Sequence, residues 1–198
     1  MLQMLRSFLF VLAILNSFSL CAQQMVYEVE VLGMNTGTLT VNRSREGSVT
    51  RITMNTEAGM NYLFGKSEAS FSSSNIFVNG KLEGSYARNI RDGEEIRFTR
   101  LMCSNGTCEI ETKEGKGKLE PQPKLCIAAI FFDEPKGVSQ VFSEDWGRYL
   151  PIKNIGESTY QVTMPDGKTN DYIYKDGVLE ELRSSTPVGK ARVRRKRD

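Results

Sequence analysis

Ile76-Phe77-Val78-Asn79-Gly80-Lys81-Leu82, Ile90-Arg91-Asp92-Gly93-Glu94 and Cys103-Ser104-Asn105-Gly106-Thr107-Cys108 decide the fold. Each sets an Asn-Gly or Asp-Gly pair between runs rich in β-branched and aromatic residues. Both central residues of a type I′ turn need positive φ, which Asn, Asp and Gly tolerate, so each pair marks a tight hairpin. Hairpins join antiparallel neighbours. Two further pairs, Asp166-Gly167 and Asp176-Gly177, follow Tyr160–Met164 and Tyr172–Tyr174. Toward the N-terminus, Tyr27, Val29 and Val31 alternate with Glu28 and Glu30, giving one apolar and one wet face. Asn35-Thr36-Gly37 and Glu46-Gly47 are the next turn signals. The spacing predicts a mainly β chain, an antiparallel meander of about ten or more strands. A sheet that long must curl, so the expected architecture is an open barrel or half-barrel.

The middle of the chain breaks this rhythm. Gly115–Pro123 is a polar Gly/Pro linker, followed by the apolar run Leu125-Cys126-Ile127-Ala128-Ala129-Ile130-Phe131-Phe132. With Pro123 at a first turn and two consecutive Ala, Lys124–Phe132 reads as a short, wholly buried helix; a buried strand is the competing reading. Ser143-Glu144-Asp145-Trp146 would open a second short turn with Ser143 as its cap. One or two short helices at mid-chain are therefore expected.

Composition narrows function. The 198 residues contain no His, so there is no Ser-His-Asp or Cys-His relay and no imidazole metal ligand. Met1–Arg6, the apolar run Phe8–Leu15 and Leu20-Cys21-Ala22 have the three parts of a secretory signal peptide, too short to span a bilayer. Cleavage is expected after Ala22, which assigns residues 1–22 to the leader and 23–198 to a single β-rich domain exported to the periplasm or beyond. Leu20, not a small residue, precedes Cys21, which argues against lipid attachment there.

If Asn105-Gly106 is a two-residue turn, Cys103 faces Cys108 across the hairpin. An oxidising compartment favours a disulfide between them. Cys126 is then a buried small hydrophobe, its pairing with either partner being the rival arrangement. Three cysteines without His do not make a zinc site, and no cofactor is expected. Glu94-Glu95, Asp133-Glu134, Glu144-Asp145 and Glu180-Glu181 are adjacent carboxylates, which on a strand point to opposite faces. A carboxylate hydrolase would need two of them, such as Asp133 and Glu144, brought across one cleft by the fold. Asp166, Asn170 and Asp171 offer oxygen ligands for Ca²⁺, but a turn explains them as well.

Residues 189–198 form a basic tail, with Lys190, Arg192, Arg194, Arg195, Lys196 and Arg197 against Asp198. The 176-residue mature chain has net charge +1, which divides into a body of −4 and a tail of +5. The tail reads as an edge strand whose charges block aggregation, or as a contact for an anionic membrane surface. Nucleic acid does not suit an exported chain.

Phe131-Phe132-Asp133-Glu134-Pro135, Val141-Phe142-Ser143-Glu144-Asp145-Trp146-Gly147 and Tyr160–Tyr174 with Gly177 resemble a family of small secreted Gram-negative envelope proteins known only as a domain of unknown function. Tyr27-Glu28-Val29 with Gly33 and Gly37 is similar to it as well. The resemblance implies a curved antiparallel sheet wrapped on a short helix, like that of periplasmic lipoprotein carriers, and no catalytic residues. The expected function is non-enzymatic. The curved sheet would bind an apolar ligand or a protein segment, or the chain would serve as an outer-membrane interaction module docked by its tail.

Overall fold

The computed structural model describes residues 21–62, 65–186 and 189–196. The leader lies outside the described residues apart from Cys21 and Ala22, as does Arg197 of the tail. The first group of strands is β1 (Cys21–Val31), β2 (Met34–Glu46), β3 (Val49–Tyr62), β4 (Gly65–Val78), β5 (Lys81–Arg91), β6 (Glu94–Ser104), β7 (Thr107–Thr112) and β8 (Gly115–Leu119). The second group is β9 (Gln140–Ser143), β10 (Arg148–Gly156), β11 (Thr159–Thr163), β12 (Thr169–Lys175), β13 (Val178–Thr186) and β14 (Gly189–Arg195). All belong to one antiparallel sheet, ordered β8-β7-β6-β5-β4-β3-β2-β1-β14-β13-β12-β11-β10-β9. The chain thus builds one arm outward from β1, crosses, and builds the second arm back until β14 pairs with β1. The sheet is mainly β as expected, and it is not closed: β8 and β9 are its two ends.

The hairpins follow backbone chemistry. Asn79-Gly80, Asp92-Gly93, Asn105-Gly106 and Asp176-Gly177 each place two consecutive residues at positive φ, the requirement of a type I′ turn. The first turn departs from expectation. It falls at Leu32-Gly33, with φ of 53° and 81°, and Asn35–Gly37 lies inside β2. Gly37 serves close approach instead: a Cβ there would stand 1.9 Å from the Glu57 carbonyl oxygen of β3.

Alternation sets the inner face. Tyr27, Leu39, Val41, Ile52, Met54, Leu101, Ile110, Tyr172 and Val193 are buried against the segment that joins the arms. That segment is the largest correction. Residues 124–132 do not form a helix; one three-residue 3-10 turn, Ala129–Phe131, is all that forms. Cys126 makes a parallel bridge with Phe142 of β9, and Ile127 N donates to Phe142 O at 3.0 Å while Phe142 N donates to Leu125 O at 3.1 Å. Pairing with β9 satisfies backbone groups that a helix would satisfy internally, and this outweighs the propensity of two Ala residues. The run is not wholly buried: Ala128, Ile130 and Phe131 are at most 1% exposed, whereas Leu125 and Ile127 are only partly buried. Phe131 sits edge-on between Tyr27 and Tyr172, at 5.3 and 6.4 Å. The second expected helix is also a turn, though Ser143 Oγ does accept from Trp146 N at 3.3 Å.

The tail is corrected as well. β14 is hydrogen-bonded on both sides, to β1 and to β13, so it is an interior strand rather than an edge. Val193 opposite Val29 and Ala191 opposite Val31 explain this, because they add an apolar face that β1 buries.

Candidate functional site

The concave face has a filled centre and an opening at each end. The centre is filled by residues 125–132, held by Glu144 at the end of β9. The Glu144 side chain is 2% exposed. Its Oε1 accepts from Ala128 N at 2.9 Å and from Asn75 Nδ2 at 3.2 Å, and its Oε2 accepts from Ile127 N at 3.0 Å. Ser85 Oγ donates to Asn75 Oδ1 at 2.7 Å. Burial raises the pKa of Glu144 against the lowering effect of these donors. Burial and the neighbouring Glu144 also keep the Cys126 thiol protonated. Tyrosine hydroxyls complete the joint: Tyr174 donates to Ile130 O at 2.6 Å and Tyr160 to Glu134 Oε1 at 3.0 Å. This network fixes the segment to both arms.

The upper end carries the β1–β2, β5–β6 and β7–β8 turns. Here β6 pairs with β5 from Glu94 onward, whereas β7 reaches it only from Thr99. Residues 94–98 of β6 therefore keep one edge open. Lys113 Nζ donates to the Glu95 carbonyl, and no backbone hydrogen bond from outside the sheet reaches 94–98 among the described residues. A notch of about 530 Å³ runs along this edge, walled by Trp146 and by Pro165 from the opposite arm. Asp145 positions the wall: Arg97 Nε and Nη2 donate to its two oxygens at 3.0 and 2.7 Å, and Asn89 Nδ2 donates at 2.8 Å. The Arg97 guanidinium covers one face of the Trp146 ring at 4.2 Å. Thr99 Oγ1, on the notch lining, is the single buried side-chain polar atom without a hydrogen-bond partner among the described residues.

The lower end holds a groove of about 610 Å³ between the inner ends of β1–β4 and residues 124–133. Ile52, Phe77, Leu125 and Ala129 form its base, and Arg43, Arg45, Lys124 and Asp133 its rim.

The residues singled out from sequence are distributed as follows. Cys103 and Cys108 face each other across the β6–β7 hairpin with sulfurs 2.03 Å apart, as the turn predicted; Cys126 is free and buried. Lys190, Arg192, Arg194, Arg195 and Lys196 are exposed along β14. Arg194 pairs with Glu30 at 3.6 Å and Arg192 with Glu181 at 3.8 Å, so the tail charge is partly matched by neighbouring strands and there is no free basic arm among the described residues. Arg183 and burial act oppositely on Glu181, and the Arg183 hydrogen bond prevails to hold its carboxyl below the usual range. Asp133 stands exposed beside Arg43 while Glu144 is sealed in the core, so these carboxylates share no accessible cleft. Asp166 is engaged by Lys168 and Asp171 by Gln161. Sequence reading missed the notch, because an open edge is a difference between two strand lengths and not a motif.

No curated protein and no solved structure matches the chain. One family model does, over residues 27–196, which run from β1 to the end of β14; the chain belongs to the family of the domain of unknown function DUF6134.

Proposed function

We propose that this is an exported, non-catalytic binding protein of the cell envelope that takes an extended protein segment on the open edge of β6. The carrying observation is that edge itself, five residues of strand with pairing on one side only. Unpaired backbone N–H and C=O groups are a template for another strand, and strand addition derives affinity from main-chain hydrogen bonds. At about 3.4 Å per residue the edge suits a segment of four or five residues. Trp146 offers an aromatic wall on the same notch. The filled centre favours this reading over an enclosed apolar ligand, which would have to displace Ile130, Phe131 and the Glu144 network. The leader-like N-terminus and the Cys103–Cys108 bridge support export, since disulfides persist in oxidising compartments.

Trp146 is the chain's one tryptophan, so its emission reports the notch directly. A hexapeptide of alternating Val and Thr should shift that emission saturably, and the same peptide with a central Pro should not. No shift with either peptide, or equal shifts with both, would sink the assignment.

A further inference from the structure

The lower groove is independent of the β6 edge, and its charges are unbalanced. Arg43 is already engaged: its Nη1 is 2.5 Å from Asp133 Oδ2, its Nε and Nη2 donate to Gln23 Oε1 at 2.9 and 2.6 Å, and its guanidinium lies 4.5 Å from the Phe132 ring centre. Arg45 and Lys124, on the same rim, are exposed and make no ion pair among the described residues. Arg51, Arg91, Arg148 and Arg195 also make no ion pair among the described residues, so Arg45 is set apart by its place on the groove rim beside Lys124, whereas other arginines of the sheet are paired. Arg88, Arg97, Arg183, Arg192 and Arg194 each have a carboxylate within 4.0 Å. With Arg43 offset by Asp133, the rim keeps two positive charges over a base of Ile52, Phe77, Leu125 and Ala129.

We infer that this groove binds a single-chain amphiphile with a phosphate monoester head, the head lying between Arg45 and Lys124 and the chain along the apolar base. A phosphate monoester carries about −1.5 to −2 charges at neutral pH and matches the two free cations, where a carboxylate would match one. Arginine recognises such a head through two parallel hydrogen bonds, and lysine supplies a point charge. Ser48, Thr50 and Asn79 line the same groove and provide neutral donors for the remaining oxygens. The groove's volume lies in the range of small-ligand sites, about 300–1,000 Å³. The apolar base distinguishes a headgroup from free phosphate, which would have no use for it.

The test is calorimetry on the mature protein with dodecyl phosphate below its micelle concentration. Dodecanoate, dodecanol and inorganic phosphate are run in parallel. Dodecyl phosphate should bind most tightly, by about tenfold over dodecanoate, and weaken as salt is raised. The double variant Arg45→Glu/Lys124→Glu should lose about tenfold or more in affinity, while Arg51→Glu, an exposed charge change on β3 outside the groove, should leave binding unchanged. Dodecanol binding as well as dodecyl phosphate would overturn the head assignment. Inorganic phosphate binding as tightly would overturn the amphiphile. Unchanged binding by the double variant, with its melting temperature intact, would place the ligand elsewhere. None of these outcomes touches the Trp146 response to strand-forming peptides, so the two readings fail separately.

Discussion

Replacing Glu144 tests whether one buried carboxylate holds the arms around the joining segment. Glu144→Ala leaves the buried Ala128 N without its acceptor and removes the carboxylate bonds of Ile127 N and Asn75 Nδ2, which keep Phe142 O at 3.0 Å and the longer contacts to Ile52 O and Ser73 Oγ at 3.4 Å. An unsatisfied buried donor costs about 1–3 kcal/mol, so the orphaned Ala128 N sets the loss at about 1–3 kcal/mol. For a chain of this length each kcal/mol moves the melting temperature by roughly 2–4 °C, so the fall should be about 2–12 °C. The segment should also open before the sheet melts. Cys126 is fully buried beside Glu144, and its alkylation, followed by mass spectrometry of its peptide, should accelerate by at least about tenfold in the variant. A fall below about 2 °C with unchanged Cys126 labelling would refute the claim that this network anchors the segment.

The same residue gives a pH signature. Burial raises the folded pKa of Glu144 above its ordinary value of 4.5. The folded protein then holds this proton after the unfolded chain has released it. The stability from Glu144 is therefore fully present below about pH 4.5 and is lost as pH rises through the folded pKa. Glu134, Asp166 and Glu181 shift the opposite way, so the raw profile mixes both signs. Subtracting the Glu144→Gln profile from the wild-type profile isolates the term. In urea titrations the difference should favour the wild type increasingly as pH falls from 7 toward 4.5; a flat difference would contradict the sign.

Other parts of the fold yield sharper mutational tests. Leu32 holds φ of 53° in the β1–β2 turn with its side chain 59% exposed, and a left-handed conformation costs a non-glycine residue about 1–2 kcal/mol. Leu32→Asn, which tolerates that region, should raise the melting temperature by roughly 2–4 °C; no rise would mean the turn carries no such cost. Deleting Lys190–Asp198 removes most of β14, the strand that joins the two arms, so circular dichroism should show loss of the cooperative transition and not merely loss of charge. Lengthening the β7–β8 hairpin by four residues on each side would let β7 cover residues 95–98. This should abolish the Trp146 response to peptides while keeping or raising stability.

The legible part of the structure was the part written in local chemistry. Asn-Gly and Asp-Gly pairs are readable because a type I′ turn demands positive φ at two residues, and four of the five adopt it. The Cys103–Cys108 bridge followed from the same turn. Leu32-Gly33 escaped because leucine carries no turn signal, and Gly37 misled because a glycine needed for close approach looks the same as a glycine needed for a turn. Residues 126 and 128–132 are buried as expected, but Lys124 is exposed, Leu125 and Ile127 are half-buried, and the segment is not helical, since the deciding contact is with Phe142, ten or more residues later. The basic tail was misread as an edge because pairing between β1 and β14 spans almost the whole chain. The notch and the groove were illegible for a related reason: both are set by where neighbouring strands end.

The motifs that carried the family resemblance sharpen where function should be sought. Phe131 and Phe132 are buried, Asp133 and Glu134 bond to Arg43 and Tyr160, and Glu144 and Asp145 each hold a different strand of the first arm. Apart from the exposed Asp133, these residues are under packing and hydrogen-bond constraint between the two arms, so they are spent on joining them. An open sheet needs such a joint, because β8 and β9 do not pair with each other. The two proposed recognition surfaces are the ones the joint leaves uncovered: the β6 edge above it and the cationic groove below it. The two ends differ in chemistry, unpaired backbone at one and unpaired charge at the other, which makes a partner that satisfies one a poor ligand for the other.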